Sequence, residues 1–219
     1  MATTRKAHTG VNGTVPGSAN GALKSQRRAD MVAIAAALFA QKGYRATTVR
    51  EIADAAGILS GSLYHHFDSK ESIGDEILSG FINEVLANYR AAAAEAADPR
   101  AALEQIVRTT TRTLAQHRAA LTMLQNDWNF FATLPRFAYL PKALREIERI
   151  WIGQLELGKR AGLFRADLDA KLTYRLLQDV LWIPAAWHRT RGYSTDQVVE
   201  GFLRILFDGI ADHPGAAPA

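Results

Sequence analysis

Thr48-Val49-Arg50-Glu51-Ile52-Ala53-Asp54-Ala55-Ala56-Gly57-Ile58-Leu59-Ser60-Gly61-Ser62-Leu63-Tyr64-His65-His66-Phe67-Asp68-Ser69-Lys70 is the stretch on which the reading of this chain turns. Thr48 precedes Glu51 at the spacing of a capping box, so a short helix opens there and carries Ile52, Ala53 and Ala56. Gly57 ends it, as a glycine just past a helix end commonly does. Ser60 can cap a second short helix running to about Phe67. Leu63 and Phe67 form its buried side, and Gly61, Ser62, Tyr64 and His65 face the other way. Two short helices joined by a glycine-containing turn, the second with small and hydrogen-bonding residues outward, match a helix-turn-helix.

Working outward, Met31, Ile34, Ala35 and Leu38 repeat at helical spacing, which predicts a helix from near Ser25 to Gly43. On the other side Asp68 or Ser69 caps a long helix with Ile73, Ile77, Phe81 and Val85 on one stripe. It runs into the helix-favouring alanines of 91–97. Asp98-Pro99 then reads as a cap followed by a first-turn proline. Further helices are expected over Pro99–His117, Ala119–Asn126, Phe137–Ala161, Ala170–Trp187 and Thr195–Gly209, with no strand signal. The fold class is therefore all-α. Residues 1–24 lack apolar periodicity and read as a disordered basic arm, and 213–219 as a frayed tail. Between them lie a helix-turn-helix domain over 25–70 and a larger helical domain over 71–212.

The bulk numbers agree with a soluble globular protein: 219 residues, 48% hydrophobic and 22% charged. Charge is uneven along the chain. Up to Lys70 there are nine Lys/Arg against four Asp/Glu, whereas the rest holds seventeen against eighteen. A basic N-terminal part points to a polyanion as its partner. The absence of cysteine excludes disulfides and thiolate metal sites. No signal-peptide core and no bilayer-length apolar run are present, so a cytoplasmic protein without membrane association is expected. No nucleophile–base arrangement, metal-ligand spacing or phosphate-cradling glycine loop argues for an enzyme. No cofactor is expected either.

The candidate DNA-contacting residues follow from groove geometry. A recognition helix must approach base edges closely, and Ser60, Gly61 and Ser62 are small enough to allow it. Tyr64, His65 and His66 can reach phosphates or bases. His65 and His66 diverge by about 100° on a helix, which disfavours a shared metal ion. Thr48 and Arg50 can hold the backbone or reach a base edge. Lys70, at the start of the following helix, can hold a phosphate. Arg27 and Arg28, near the first helix start, are further phosphate candidates.

At these residues the chain resembles TetR-family regulators. The resemblance rests on Ala46-Thr47-Thr48-Val49-Arg50-Glu51-Ile52-Ala53, Ala56-Gly57, Ser62-Leu63-Tyr64-His65-His66-Phe67 and Ser69-Lys70-Glu71, and covers about 26–75. It implies a three-helix DNA-binding domain, a helical ligand-binding and dimerisation domain, and a homodimer bound to a pseudo-palindromic DNA duplex. A narrower resemblance, to actinobacterial TetR-type repressors of steroid-ring catabolism, rests on Gly57-Ile58-Leu59-Ser60-Gly61-Ser62-Leu63-Tyr64. Pro135-Arg136-Phe137, Phe164 to Asp169, and Trp182 extend it. That subgroup implies a small-molecule effector, a ring-degradation intermediate or its coenzyme A thioester. Its members carry arginines where this chain has Gln178 and Ala186.

In the C-terminal domain Trp128, Phe131, Phe137, Trp151, Gln178 and Trp182 are the candidates for an effector pocket, against the plainer reading that aromatics at helical spacing are core. Leu176, Ile183 and Trp187 on one helix, with Phe202, Ile205 and Leu206 on the last, are candidates for a two-fold interface. The competing reading of the whole chain is a DNA-binding activator or architectural protein without an effector. A C-terminal core with no cavity would distinguish it.

Overall fold

The computed structural model describes residues 17–182 and 193–210, with side chains described over 21–182 and 193–209. Among these residues every regular element is a helix: α1 Gly17–Lys42, α2 Val49–Ala55, α3 Ser60–Tyr64, α4 Lys70–Glu95, α5 Pro99–Gln116, α6 Arg118–Phe131, α7 Leu140–Arg160, α8 Ala170–Leu181 and α9 Thr195–Ile210. A single 3-10 turn over Pro135–Phe137 separates α6 from α7.

The caps explain most boundaries. Thr48 and Glu51 form the reciprocal box at the start of α2. Ser69 does the same for α4, with Ser72 as its partner. Asp98 accepts from the Ala101 N–H at the start of α5, followed by Pro99. Gly43 and Gly57 take φ of 89° and 66°, so the turns after α1 and α2 use the left-handed conformation that glycine adopts without strain.

Four expectations need correction. α1 starts at Gly17 rather than near Ser25, so the last part of the segment read as disordered is helical. Residues 21–27 expose every side chain, so no apolar stripe marks them, yet Ala, Leu, Lys, Gln and Arg favour helix intrinsically. Ser60 is the first residue of α3 rather than its cap; Leu59 stands at the cap position, with no side-chain hydrogen bond. α3 also ends at Tyr64, and a turn carries the chain to Phe67, whose N–H reaches the Leu63 carbonyl at 3.0 Å. α6 continues past Asn126 to Phe131, but Asp127 inside it has φ −115° and ψ 16°, so the expected end survives as a kink. The expected arm before residue 17, the last part of the helix expected to reach Trp187, and the tail 213–219 lie outside the described residues.

One contiguous core joins both parts of the molecule. Ala35 and Phe39 of α1, Ile52 of α2, Leu63 of α3 and Phe67 bury against Ile73 and Ile77 in the first turns of α4. The second half of α4 (Phe81, Ile82, Val85 and Tyr89) enters the core of the C-terminal helices, chiefly against α5 and α7. Where the parts meet, the Tyr44 ring lies 4.9 Å from Phe39 and 4.9 Å from Phe131, centroid to centroid. A Cβ on Gly74 would come within 2.9 Å of that ring, so α4 can pass this close to Tyr44 only with glycine there.

Candidate nucleic-acid interface and C-terminal cleft

The start of α2 is held from two sides. The Glu51 carboxylate accepts from the Thr48 N–H at 2.8 Å and the Thr48 hydroxyl at 3.0 Å, and Lys42 at the end of α1 donates to it at 2.7 Å. The Lys42 bond, followed by those from Thr48, lowers the Glu51 pKa to about 2. This network fixes the orientation of Thr48, which is itself exposed. Arg50 stands 85% exposed, with only a 3.8 Å approach to Asp54. It is free to reach outward.

On α3, Leu63 and Phe67 are buried, whereas Gly61, Ser62, Tyr64 and His65 are exposed, and Ser60 and His66 are half-buried. The outward face is the one expected. Gly61 has an ordinary negative φ, and an added Cβ would meet nothing within 4 Å. Nothing inside the described chain requires glycine there, so any demand for a small residue comes from outside.

Two candidate phosphate contacts are placed differently. The Lys70 ammonium donates to the carbonyls of Tyr44 at 3.0 Å, Thr47 at 3.0 Å and Arg45 at 3.4 Å, and lies 4.6 Å from the Tyr44 ring centroid. An ammonium has three N–H donors, and all three are occupied by the segment leading into α2. Partial burial lowers its pKa. Arg28 holds Glu76 of α4 through Nε and a 2.6 Å ion pair, donates to the His66 carbonyl, and covers the Phe67 ring at 4.1 Å. Both cations brace the helix-turn-helix against α1 and α4. Sequence spacing shows where a cation lies along a helix, not which carbonyls fold back towards it. Arg27 remains exposed.

The sequence reasoning passed over Leu59. It is 80% exposed, the most of any large hydrophobic residue described. An aliphatic residue beside a glycine turn with no helical partner was the available signal.

In the C-terminal part, a cleft of about 260 Å³ opens between α7 and α8. Leu144, Arg145 and Glu148 line one wall and Tyr174, Arg175, Gln178 and Asp179 the other. Of the pocket candidates only Gln178 is in this wall. Phe131 and Phe137 meet with tilted rings, 4.7 Å between centroids, in the hub around Tyr44 instead. Trp151 is buried between Tyr89 and Tyr174, at 6.4 and 6.3 Å, so it backs the cleft through Tyr174. Trp182 meets Phe81 edge-on at 6.1 Å, and Trp128 packs half-buried on the core. Aromatic spacing cannot distinguish a cavity wall from a packing hub, which is why five of the six fall elsewhere. Burial raises the Tyr174 pKa. Arg145 and Arg175 enter no ion pair among the described residues, so the cleft offers two guanidinium groups near its two carboxylates.

Leu172, Leu176 and Val180 form an exposed apolar stripe on α8, and Ile205 on α9 is 78% exposed. Phe202 is half-buried. Leu206 turns inward and is buried in its own protomer, so that candidate belongs to the core rather than to a surface. Ile183 and Trp187 lie outside the described residues.

With this geometry in view, residues 32–77 match the family model described as bacterial regulatory proteins, tetR family, and residues 96–210 match the tetracyclin repressor-like C-terminal domain. The chain belongs to the TetR family. It is similar to the HTH-type transcriptional repressor KstR2 of Rhodococcus jostii, 46% identical over 86% of this chain and 93% of that protein. The repressor KstR2 of Mycobacterium tuberculosis is 40% identical over 85% and 94%. The solved structure of ketosteroid transcriptional regulator KstR2 of Mycobacterium tuberculosis superposes with a TM-score of 0.81, covering 85% of this chain and 96% of that one. This TetR-family chain is thus a DNA-binding transcriptional regulator and not an enzyme. Among the described residues, no helix is long and apolar enough to cross a membrane.

Proposed function

We propose that the chain acts in the cytoplasm as a homodimeric repressor whose grip on a pseudo-palindromic operator is released by a small amphipathic effector. The observation that carries the release step is the cleft between α7 and α8, whose lining combines the guanidinium groups of Arg145 and Arg175 with the apolar surface of Leu144 and Tyr174. An acid or thioester derived from a steroid ring has this split character. The similar proteins, a transcriptional repressor and a ketosteroid transcriptional regulator, point the same way.

The exposed stripe of α8 together with Ile205 of α9 supports the dimer, because a soluble chain rarely leaves so many aliphatic side chains aligned in water. Two recognition helices then lie about 34 Å apart in successive major grooves. α4 joins both parts of the core and is the element through which occupancy of the cleft changes that separation. The coupling is reciprocal: effector weakens DNA binding by the factor by which DNA weakens effector binding.

The test is operator-fragment binding at fixed salt, with steroid-ring catabolites supplied as free acids and as coenzyme A thioesters. Release by either form supports the proposal. Tight DNA binding unmoved by any compound that binds the protein would overturn the release mechanism.

A further inference from the structure

We propose that Leu59 reads a thymine by enclosing its C5-methyl group, and so sets sequence preference at one position of each half-site. The inference rests on α3 being the helix that enters the major groove.

Three observations lead to it. First, Leu59 is 80% exposed, so its isobutyl group contributes little to the fold. Second, its position is fixed all the same. The backbone is extended at φ −70° and ψ 143°, and its carbonyl accepts the Ser62 N–H at 2.9 Å, so the first turn of α3 anchors the residue while its side chain points away. Third, the residue beside Ser60 on the outward face is Gly61, where an added Cβ would meet nothing within the chain. That gap lets a duplex approach the start of α3 closely.

The rest of the outward face is polar or amphipathic: Ser62 and His65 offer hydrogen bonds, and Tyr64 a ring with a hydroxyl. Leu59 is its aliphatic member. In the major groove the thymine methyl is the one apolar group on the base edges, so an aliphatic side chain delivered there has a single chemical complement. A hydroxyl or imidazole could satisfy several base edges, but an isobutyl group cannot.

The experiment uses the full-length protein and DNA fragments that it selects from a random-sequence pool. Each thymine of the selected site is replaced in turn by deoxyuridine, which removes only the methyl group. The expected result is one thymine per half-site at which the replacement weakens binding about fourfold, the transfer value of one buried methylene-sized group. L59A should bind the unmodified site more weakly and be indifferent to the methyl at that thymine, with its melting temperature unchanged. The proposal is overturned if L59A binds like the parent, or if it retains the same deoxyuridine sensitivity. A parent protein that selects no sequence at all would overturn the helix-turn-helix reading itself, a different result from selection without methyl dependence.

Discussion

Tyr44 donates its backbone N–H to the Asp127 carboxylate at 2.9 Å, joining residues 83 positions apart. The bond connects the turn leading into the helix-turn-helix with the kink of α6, at the one residue there that leaves helical φ/ψ. Two residues earlier, Gln125 donates to the Trp182 carbonyl at 2.6 Å. α6 thus links the end of α8 to the DNA-facing part of the chain. Asp127→Ala should cost about 1.5–3 kcal/mol in denaturant unfolding, the usual worth of a hydrogen bond to a charged acceptor. Asp127→Asn should recover part of it, because the amide oxygen still accepts. No loss in either variant would show that the two parts are joined by core packing alone.

Lys70 and Arg50 should separate in their salt dependence. If Lys70 braces the Tyr44–Thr47 segment, Lys70→Met lowers the melting temperature and leaves the slope of log affinity against log salt nearly unchanged. Arg50→Ala should leave stability intact. If Arg50 holds a phosphate, the slope falls by about 0.9. Titrations of each variant between low and moderate salt read both quantities.

Gly61→Ala should be harmless to the fold and harmful to binding. Alanine is favoured over glycine in a helix by up to about 1 kcal/mol, and the site has room for the methyl. Thermal stability should hold or rise while operator affinity falls by about tenfold, the scale of one spoiled base-pair contact. Unchanged affinity would mean that α3 does not approach DNA at this point.

The Glu51 network sets a pH window. The folded pKa near 2 lies below the ordinary value of 4.5, so the carboxylate stabilises the fold above about pH 4.5 and that contribution is lost as pH falls towards 2. The stability gap between the parent and Glu51→Gln should therefore be full at pH 6 and close through the acid range. A gap that stays constant down to about pH 2 would contradict the hydrogen bonds from Lys42 and Thr48 as its source.

Ile205→Asp places a charge in the middle of the exposed α9 face. If α8 and α9 form the two-fold interface, the variant should sediment as a monomer with normal helical content and lose operator affinity by more than about tenfold, because two half-sites no longer act together. A variant that stays dimeric would move the interface elsewhere.

The caps and glycines made most of the helix order legible: Thr48 with Glu51, Ser69, Asp98-Pro99 and Gly57 each announce a local geometry that tertiary context did not override. The outward face of α3 was legible for the same reason, since Leu63 and Phe67 fix which side is buried. What could not be read was anything that depends on distant residues meeting. Lys70 gave no sign of the three carbonyls it holds, nor Arg28 of Glu76. Phe131 and Phe137 had the spacing of pocket walls and turned out to surround Tyr44, and the cleft drew on Arg145 and Glu148, which look like ordinary solvated charges of α7. The first turns of α1 were missed because a helix that buries nothing leaves no period in the sequence.

Lys70 and Arg28 also bear on how such a regulator finds its site. Affinity for arbitrary chromosomal DNA grows with each phosphate neutralised. If Lys70 and Arg28 make no phosphate contact, the background grip on the genome is weaker than a count of its lysines and arginines implies. Fewer copies are then sequestered on irrelevant sequence, and occupancy of the operator depends more heavily on contacts that distinguish one base pair from another.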